Sequence, residues 1–439
     1  MQLLPQTASR WALKTLSSTT RNSRGLPFIC ATCRTLQHKQ SSRQPQHRPF
    51  SSNPIFRDDD TASAQTKSTT PPPPPSSGYA RLTTRRLISI SGRDAPTFLQ
   101  GLTTTGIIGG TESNYCGFLN ALGRVLHDVY IYNVPGGLGD PEFLIEVDAA
   151  QATTLLKHLK RYKLRSQISV RAVGEDEMGV WQVWGHEINN SAIAREESGN
   201  GNNIVIPDLR APGMGYRVLN IGGGTDLSLP NLNNMDLSPS DESAYRIRRY
   251  LLGVPEGSAE IPSGNALPQE SNMDLMGGID FRKGCYVGQE LTIRTRHRGV
   301  VRKRIIPCIL YDNNDSRPPT SLEYSPSSIT SQLRGGMTIG RLGKKGRSTG
   351  TYLAGVGNIG LALCRVQIMS DLVVPNDSGS SLEFDPRAEF VVKDKEKEGE
   401  GKGEEKEGPG VKIKAFVPEW LRKRLDEDVV VGGGGGKQH

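Results

Sequence analysis

Between residues 79 and 300 the chain alternates short apolar runs with polar breaks, and the period of each run names the element it should form. Arg86 to Ile90 reads as a strand, with Leu87, Ile88 and Ile90 apolar, and Asp94 then caps a short helix through Phe98, Leu99 and Leu102. Tyr115 to Asn120, Val125 to Tyr132 and Phe143 to Val147 read as further strands, separated by Gly123-Arg124 and by Gly136 to Asp140. Ala149 to Tyr162 places Leu155, Leu156 and Leu159 on one helical face. Gln167 to Val173 and Gly179 to Trp184 return to strand. Tyr216 to Ile221 runs into Gly222-Gly223-Gly224, a hairpin turn that lacks the G-x-G-x-x-G spacing of a dinucleotide site. Ser238 stands as a cap before Pro239 and Asp241, so a helix should follow, with Ala244, Ile247 and Leu251 on one face and Gly253 at its end.

Past Val300 the pattern changes to strands broken by Gly-rich turns: Val301 to Leu310, Met337 to Gly340, Gly350 to Cys364, Glu389 to Val392 and Val411 to Phe416. Five or six short strands after a mixed segment predict a small terminal β-barrel behind an α+β core of two subdomains. The core spans 79–300 and the barrel 301–425. A Lys/Glu/Gly-rich insert over 393–410 reads as a solvated loop between two barrel strands, and 426–439 as a disordered tail. Gly343-Lys344-Lys345-Gly346 lacks the spacing of a P-loop.

Charge at first suggests a nucleic-acid partner, since the 439 residues carry a formal +8. The excess is local. Residues 1–57 hold nine Lys or Arg and no acid, so removing nine from 54 leaves 45 basic against 46 acidic residues. That acid-free, Arg- and Ser-rich start, with Leu3, Leu4, Trp11, Leu13 and Leu16 near its head, reads as a mitochondrial transit peptide over 1–50, cleaved near Phe50. Residues 51–78, closing on Pro71 to Pro75, form a Pro/Ser-rich linker too polar to fold. No run approaches the ~18 apolar residues of a membrane helix. The chain is therefore expected in the matrix, with no nucleic acid partner and no membrane span. Cys30-x-x-Cys33 falls inside the presequence and is expected to be discarded with it. The remaining cysteines are scattered in a reducing compartment and do not suggest disulfides.

The strongest chemical candidate is Arg282-Lys283-Gly284-Cys285-Tyr286-Val287-Gly288-Gln289-Glu290. Gly284 and Gly288 permit positive φ and a close partner, while Arg282 and Lys283 favour a thiolate at Cys285. Gly288 is placed to cap a helix through Gln289 and Glu290, whose free amides favour a negative sulfur. Such a thiolate suits a nucleophile or a soft-metal ligand, against the simpler reading of a small buried hydrophobe.

Lys283 to Glu290 matches the signature K-G-C-[FY]-x-G-Q-E, and on it the chain resembles the mitochondrial iron–sulfur cluster assembly factors of the aminomethyltransferase superfamily, relatives of the glycine-cleavage T-protein. Phe98-Leu99-Gln100-Gly101-Leu102 is similar to the family's F-L-Q-G-L, and Leu119 to Asp128 to its L-N-x-x-G-R-x-x-x-D. Gly253-Val254-Pro255-Glu256-Gly257 resembles its G-[IV]-P-E-G arm. Arg294, Arg296, Gly299 and Lys303-Arg304 follow the cysteine loop as in relatives, and Gly360 to Arg365 looks like the closing barrel strand. The resemblance covers about Arg81 to Trp420. It implies two α/β subdomains around a central opening plus the barrel.

By the same resemblance the chain would serve late-stage assembly of [4Fe–4S] clusters for matrix enzymes such as aconitase and the lipoate and biotin synthases. Cys285 would act with an A-type iron–sulfur carrier, since one thiol is one of the four ligands such a cluster takes. A ferredoxin is a further implied partner. Arg124, Asp128, Lys283, Gln289, Glu290 and Arg296 are the residues carried over toward a bound tetrahydrofolate. Two departures weigh against folate chemistry: Thr105-Gly106 stands where relatives carry an Asn-Asp pair, and Leu251 where a T-protein has Glu. The alternative is a folate-dependent one-carbon transferase with Cys285 in support, so catalytic turnover is left open.

Other candidates are weaker. His127 and His297 are the possible bases for Cys285, each also readable as a surface or strand-end residue. Cys116, Cys308 and Cys364 sit in apolar runs and read as core. Arg124 and Asp128, four apart on a strand, should share a face, as a structural pair or part of a pocket. Arg294, Arg296, Arg298, Arg302, Lys303 and Arg304 form a basic run, either a solvated face or a docking surface for an acidic partner.

Overall fold

A computed structural model describes residues 70–108, 113–134, 140–185, 203–222, 227, 236–312, 317–344, 346–374, 384–394 and 410–433. The predicted presequence, Cys30-x-x-Cys33, most of the 51–78 linker and of the 393–410 insert, and the end of the tail lie outside them.

Two five-stranded sheets and a closed six-stranded barrel make up the fold. The first sheet has the order β3 (Ser113–Leu119), β4 (Val125–Val134), β5 (Glu142–Asp148), β2 (Arg85–Ser91), β6 (Ser169–Ala172). The second runs β10 (Ser238–Ser240), β1 (Gly78–Arg81), β7 (Met178–Trp184), β9 (Tyr216–Ile221), β8 (Asn203–Pro207). Period-two alternation assigns the faces. On the first sheet Ile88, Ile90, Cys116, Phe118, Val129, Ile131 and Ile145 bury against Leu99 of the helix Ala95–Gln100 and Leu155 and Leu159 of the helix Ala152–Tyr162. The intervening positions, including Leu87, Tyr115, Tyr130, Tyr132 and Leu144, share a second core with Val180, Trp184, Ile206 and Leu219 of the other sheet.

The barrel closes in the order β11 (Lys303–Asp312), β14 (Ile359–Arg365), β13 (Gly350–Val356), β12 (Thr338–Arg341), β15 (Phe390–Lys393), β16 (Val411–Ala415). Ile306, Cys308, Leu310, Ile339, Ala362, Cys364 and Ile413 fill its interior. Ile305, Ile309 and Leu361, on the alternate side, join the core between the sheets.

Three expectations are corrected. Ser238–Ser240 is a strand parallel to β1, and the helix Glu242–Leu252 is capped instead by Asp241, whose carboxylate accepts from the amides of Ser243 (2.9 Å) and Ala244 (3.2 Å). The expected stop holds, with Gly253 left-handed at φ 71°. The proline run is packed rather than free: Pro75 O accepts from Trp184 Nε1 at 3.0 Å and Pro71 O from Tyr324 Oη at 2.5 Å. Proline cannot donate, but its carbonyl still accepts, and two aromatic donors use it. Finally, a helix runs Glu419–Gly433 through much of the expected tail, anchored by Trp420 Nε1 on Leu252 O (2.8 Å).

Candidate functional site

The cysteine loop is held from both ends. At its start Lys283 Nζ donates to the carbonyls of Gln100 (2.7 Å), Thr103 (2.6 Å) and Thr105 (2.9 Å), satisfying its three protons on the turn that follows the helix Ala95–Gln100. Burial pushes this ammonium down to about 8, against the upward pull of nearby Cys116 and Asp280. Asp280 N donates to Thr104 O at 2.9 Å and its Oδ1 accepts from Arg282 N at 2.8 Å, while Val287 N donates to Gly101 O at 3.1 Å. Thr104 Oγ1 donates to Gly278 O and accepts from Gly117 N at 2.8 Å, so the threonine run ties this turn to β3 and the approach to the loop.

At its end two glycines meet. Gly288 has φ +82°, and a Cβ there would lie 2.3 Å from Asn120 O and 2.8 Å from Leu119 Cβ. Gly123 has φ +75°, and its Cβ would lie 2.8 Å from Leu291 Cβ and 3.0 Å from Gly288 O. The Leu119-to-Asp128 motif and the cysteine motif are thus in backbone contact, which only glycine permits at both positions. The helix Gln289–Arg298 starts at Gly288 as expected, and Gln289 Oε1 accepts from Tyr286 N at 2.9 Å. Tyr286 is buried; Cys285 beside it is exposed. Cys116, Cys308 and Cys364 are buried, so Cys285 is the one exposed thiol among the described residues. Burial pushes the Cys116 thiol up to about 12.

The geometry corrects several assignments. Lys283 turns inward onto carbonyls instead of serving Cys285. Gly284 has no positive φ, and nothing lies within 4 Å of a Cβ there. Arg296 stacks on Phe281, with its guanidinium carbon 4.9 Å from the ring centroid, and Glu290 is exposed in the first helical turn. The basic run divides: Arg304 is buried on Asp274 through two contacts of 2.9 Å, while Arg294 and Arg298 face outward. Arg124 and Asp128 do not share a face. A bulge in β4 between the pairs Phe118–His127 and Leu119–Val125 breaks the alternation. Arg124 reaches Asn265 O (2.8 Å), whereas Asp128 points between the sheets and accepts from Gly257 N (3.0 Å). His127 is buried on the helix-covered face beside His158, and His297 is exposed in the last turn of its helix.

Sequence reasoning missed the polar layer between the sheets. Glu256, in the Val254-Pro255-Glu256 arm, accepts from Arg210 Nη1 (2.7 Å), Arg217 Nη2 (2.8 Å) and Tyr245 Oη (2.7 Å). Burial opposes its charge, but Arg210 and Arg217, then Arg85 and Arg249, outweigh that and hold its carboxyl well below the usual range. Asp208 pairs Arg210 and Tyr130, Glu260 pairs Arg249 and Tyr250, and Glu146 pairs Arg85, Arg217 and Tyr132. Asp128 is the exception. Arg85 Nη1 stands 3.6 Å off, Oδ2 has no protein hydrogen-bond partner, and burial pushes its carboxyl up, with Arg85 offsetting only part. Arg85 Nη1 and Nη2 and Tyr115 Oη are likewise buried without protein hydrogen-bond partners. The available signal was a charge inside an apolar strand, as at Glu146 in Phe143 to Val147 and Arg217 in Tyr216 to Ile221.

No family model matches the chain. It is 49% identical over 353 residues to the mitochondrial iron–sulfur cluster assembly factor IBA57 homologue of Pyricularia oryzae, covering 80% of this chain and 86% of that protein. The corresponding homologue of Neurospora crassa is 45% identical over 422 residues, 90% of this chain and 88% of that one. Among solved structures, glycine cleavage system aminomethyltransferase T from Bartonella henselae superposes with a TM-score of 0.54 at 13% identity, over 79% of this chain and 87% of the other. The two sheets and barrel are thus an aminomethyltransferase-like fold.

Proposed function

The chain belongs to the family of mitochondrial iron–sulfur cluster assembly factors represented by the IBA57 homologues, and from that premise we propose that it acts late in [4Fe–4S] assembly in the matrix, through Cys285 and jointly with an A-type carrier. The observation that carries this reading is the exposed Cys285 on a loop gripped at both ends, with every other described thiol buried. Among the described residues no three of His, Cys, Asp and Glu converge on a metal position. A [4Fe–4S] cluster takes four ligands, so the carrier supplies the others and the cluster is shared cargo. The backbone beneath the exposed thiol is anchored on both sides, so little backbone reordering is needed to present it. A ferredoxin as electron donor, and clients of the aconitase, lipoate synthase and biotin synthase type, complete the reading.

Tetrahydrofolate is a second reading, favoured by one observation. Asp128 Oδ2, Arg85 Nη1 and Nη2 and Tyr115 Oη are buried acceptors and donors without a protein hydrogen bond, the first two atoms joined only by a 3.6 Å ion pair, and the set suits the mixed donor and acceptor edge of a pterin. Those residues would hold it, and bound there it would supply a one-carbon carrier. The other carboxylates of the layer are committed to arginines.

Anaerobic activation of apo-aconitase by the protein with a cluster-loaded A-type carrier tests both readings. Cys285→Ser should abolish the gain over carrier alone, and Asp128→Asn should leave it within about twofold, with or without added 5-formyltetrahydrofolate. Full activity in Cys285→Ser, or a strict need for folate, would transfer the function to the second reading.

A further inference from the structure

The surface around Cys285 has features that neither the fold nor the loop requires. Leu122 is 76% exposed at the tip of a polar turn, and Asn120 Oδ1 accepts from both Leu122 N and Arg124 N at 3.0 Å, so the turn is stiff and holds the leucine out. Ile108 is 58% exposed, with its amide and that of Ile107 bound to Gln100 Oε1 at 3.3 and 2.7 Å. One anchor leaves from each of the two segments that grip the loop. The Leu122 turn abuts Gly288 and Leu291 through Gly123, and the segment leading to Ile108 receives Lys283 at Thr103 and Thr105. With the backbone beneath each aliphatic side chain already hydrogen-bonded in place, little backbone entropy is lost on association.

Charge selects the occupant. Glu290, Arg294 and Arg298 recur every four residues along one exposed face of the helix Gln289–Arg298, with Arg282 exposed on the loop. Three arginines against one glutamate make this patch cationic on a body that is nearly neutral beyond residue 57. Lys283 and Arg296 add nothing outward, one lying on carbonyls and the other on Phe281. We infer that Ile108, Leu122 and this arginine face form the docking surface for an acidic, thiol-bearing protein that brings an apolar centre against Cys285. The inference rests on the cluster-sharing reading and names its partner by charge and shape. A single-stranded nucleic acid would be met by aromatic stacking platforms, whereas these anchors are aliphatic.

Binding of a recombinant apo A-type carrier, followed by calorimetry at low and physiological salt, tests the surface. Leu122→Asp should weaken the complex roughly tenfold or more. Arg294→Glu with Arg298→Glu should weaken it by a similar factor at low salt and flatten its salt dependence. Leu164→Asp, at an 87% exposed leucine elsewhere, should change nothing. Unchanged melting temperatures exclude misfolding as the cause. A complex indifferent to both surface variants overturns the docking face while leaving cluster sharing intact. Failure of wild type to bind the apo carrier overturns the docking face and leaves cluster sharing to the aconitase assay, and tighter retention on RNA or anionic vesicles than on the carrier overturns the acidic-protein assignment.

Discussion

At the residue scale, two glycines of one motif differ in what they do. Gly288 combines a left-handed backbone with a 2.3 Å approach to a carbonyl oxygen, whereas Gly284 has free space. Gly288→Ala should cost about 2 kcal/mol or more of stability by urea denaturation, and Gly284→Ala should stay within about 0.5 kcal/mol of wild type. Equal effects would refute the loop geometry. His127 gives a pH signature. Burial, then repulsion by His158, lowers its imidazole to about 4, whereas an unfolded histidine protonates near 6.5. Between those values the unfolded chain binds the proton and the folded chain does not. This contribution is therefore full above pH 6.5 and is lost as pH falls toward 4, on the order of 3 kcal/mol in all. The urea midpoint should drop less between pH 7 and pH 4.5 in His127→Asn than in wild type; parallel curves would contradict the assignment.

At the element scale, pattern and partner had different weight. The strands at 86–90, 115–120, 125–132 and 143–147 and five barrel runs were legible because each carries its own apolar alternation, but the run Gly350 to Cys364 is two strands, Gly350–Val356 and Ile359–Arg365, joined by a tight turn with Gly357 at φ 59°. Gly78–Arg81, Asn203–Pro207 and Ser238–Ser240 were not, being short, proline-bearing or weakly apolar, and extended chiefly because a neighbour pairs with them. The β4 bulge illustrates the same limit: one extra residue undid the shared face of Arg124 and Asp128, and no composition signal marks it. The proline run belongs here too. Pro71 and Pro75 accept from Tyr324, which is partly buried against the core, and from Trp184 of β7. A chain beginning at Ser76 should melt a few degrees below one beginning at Thr70, since two aromatic donors lose their acceptors. Identical melting would show that the run only lies alongside.

At the scale of the whole molecule, the site divides into a part that sequence carries and a part that only assembly creates. Eight consecutive residues from Lys283 to Glu290 announced the cysteine loop. The polar layer draws Glu146, Arg217 and Glu256 from three distant segments, so no local window contains it. Its geometry also bears on function. Replacing the exposed thiol should leave this buried layer untouched, so loss of cluster chemistry in Cys285→Ser would report the ligand and not the fold. The most direct measurement is therefore anaerobic reconstitution of the protein with an A-type carrier, iron-57 and sulfide, followed by Mössbauer spectroscopy of the isolated complex. With wild type, a cluster should appear that neither protein holds alone, and with a folded Cys285→Ser it should be absent or bound only by the carrier. The same spectrum and yield from both variants would contradict a ligand role for Cys285.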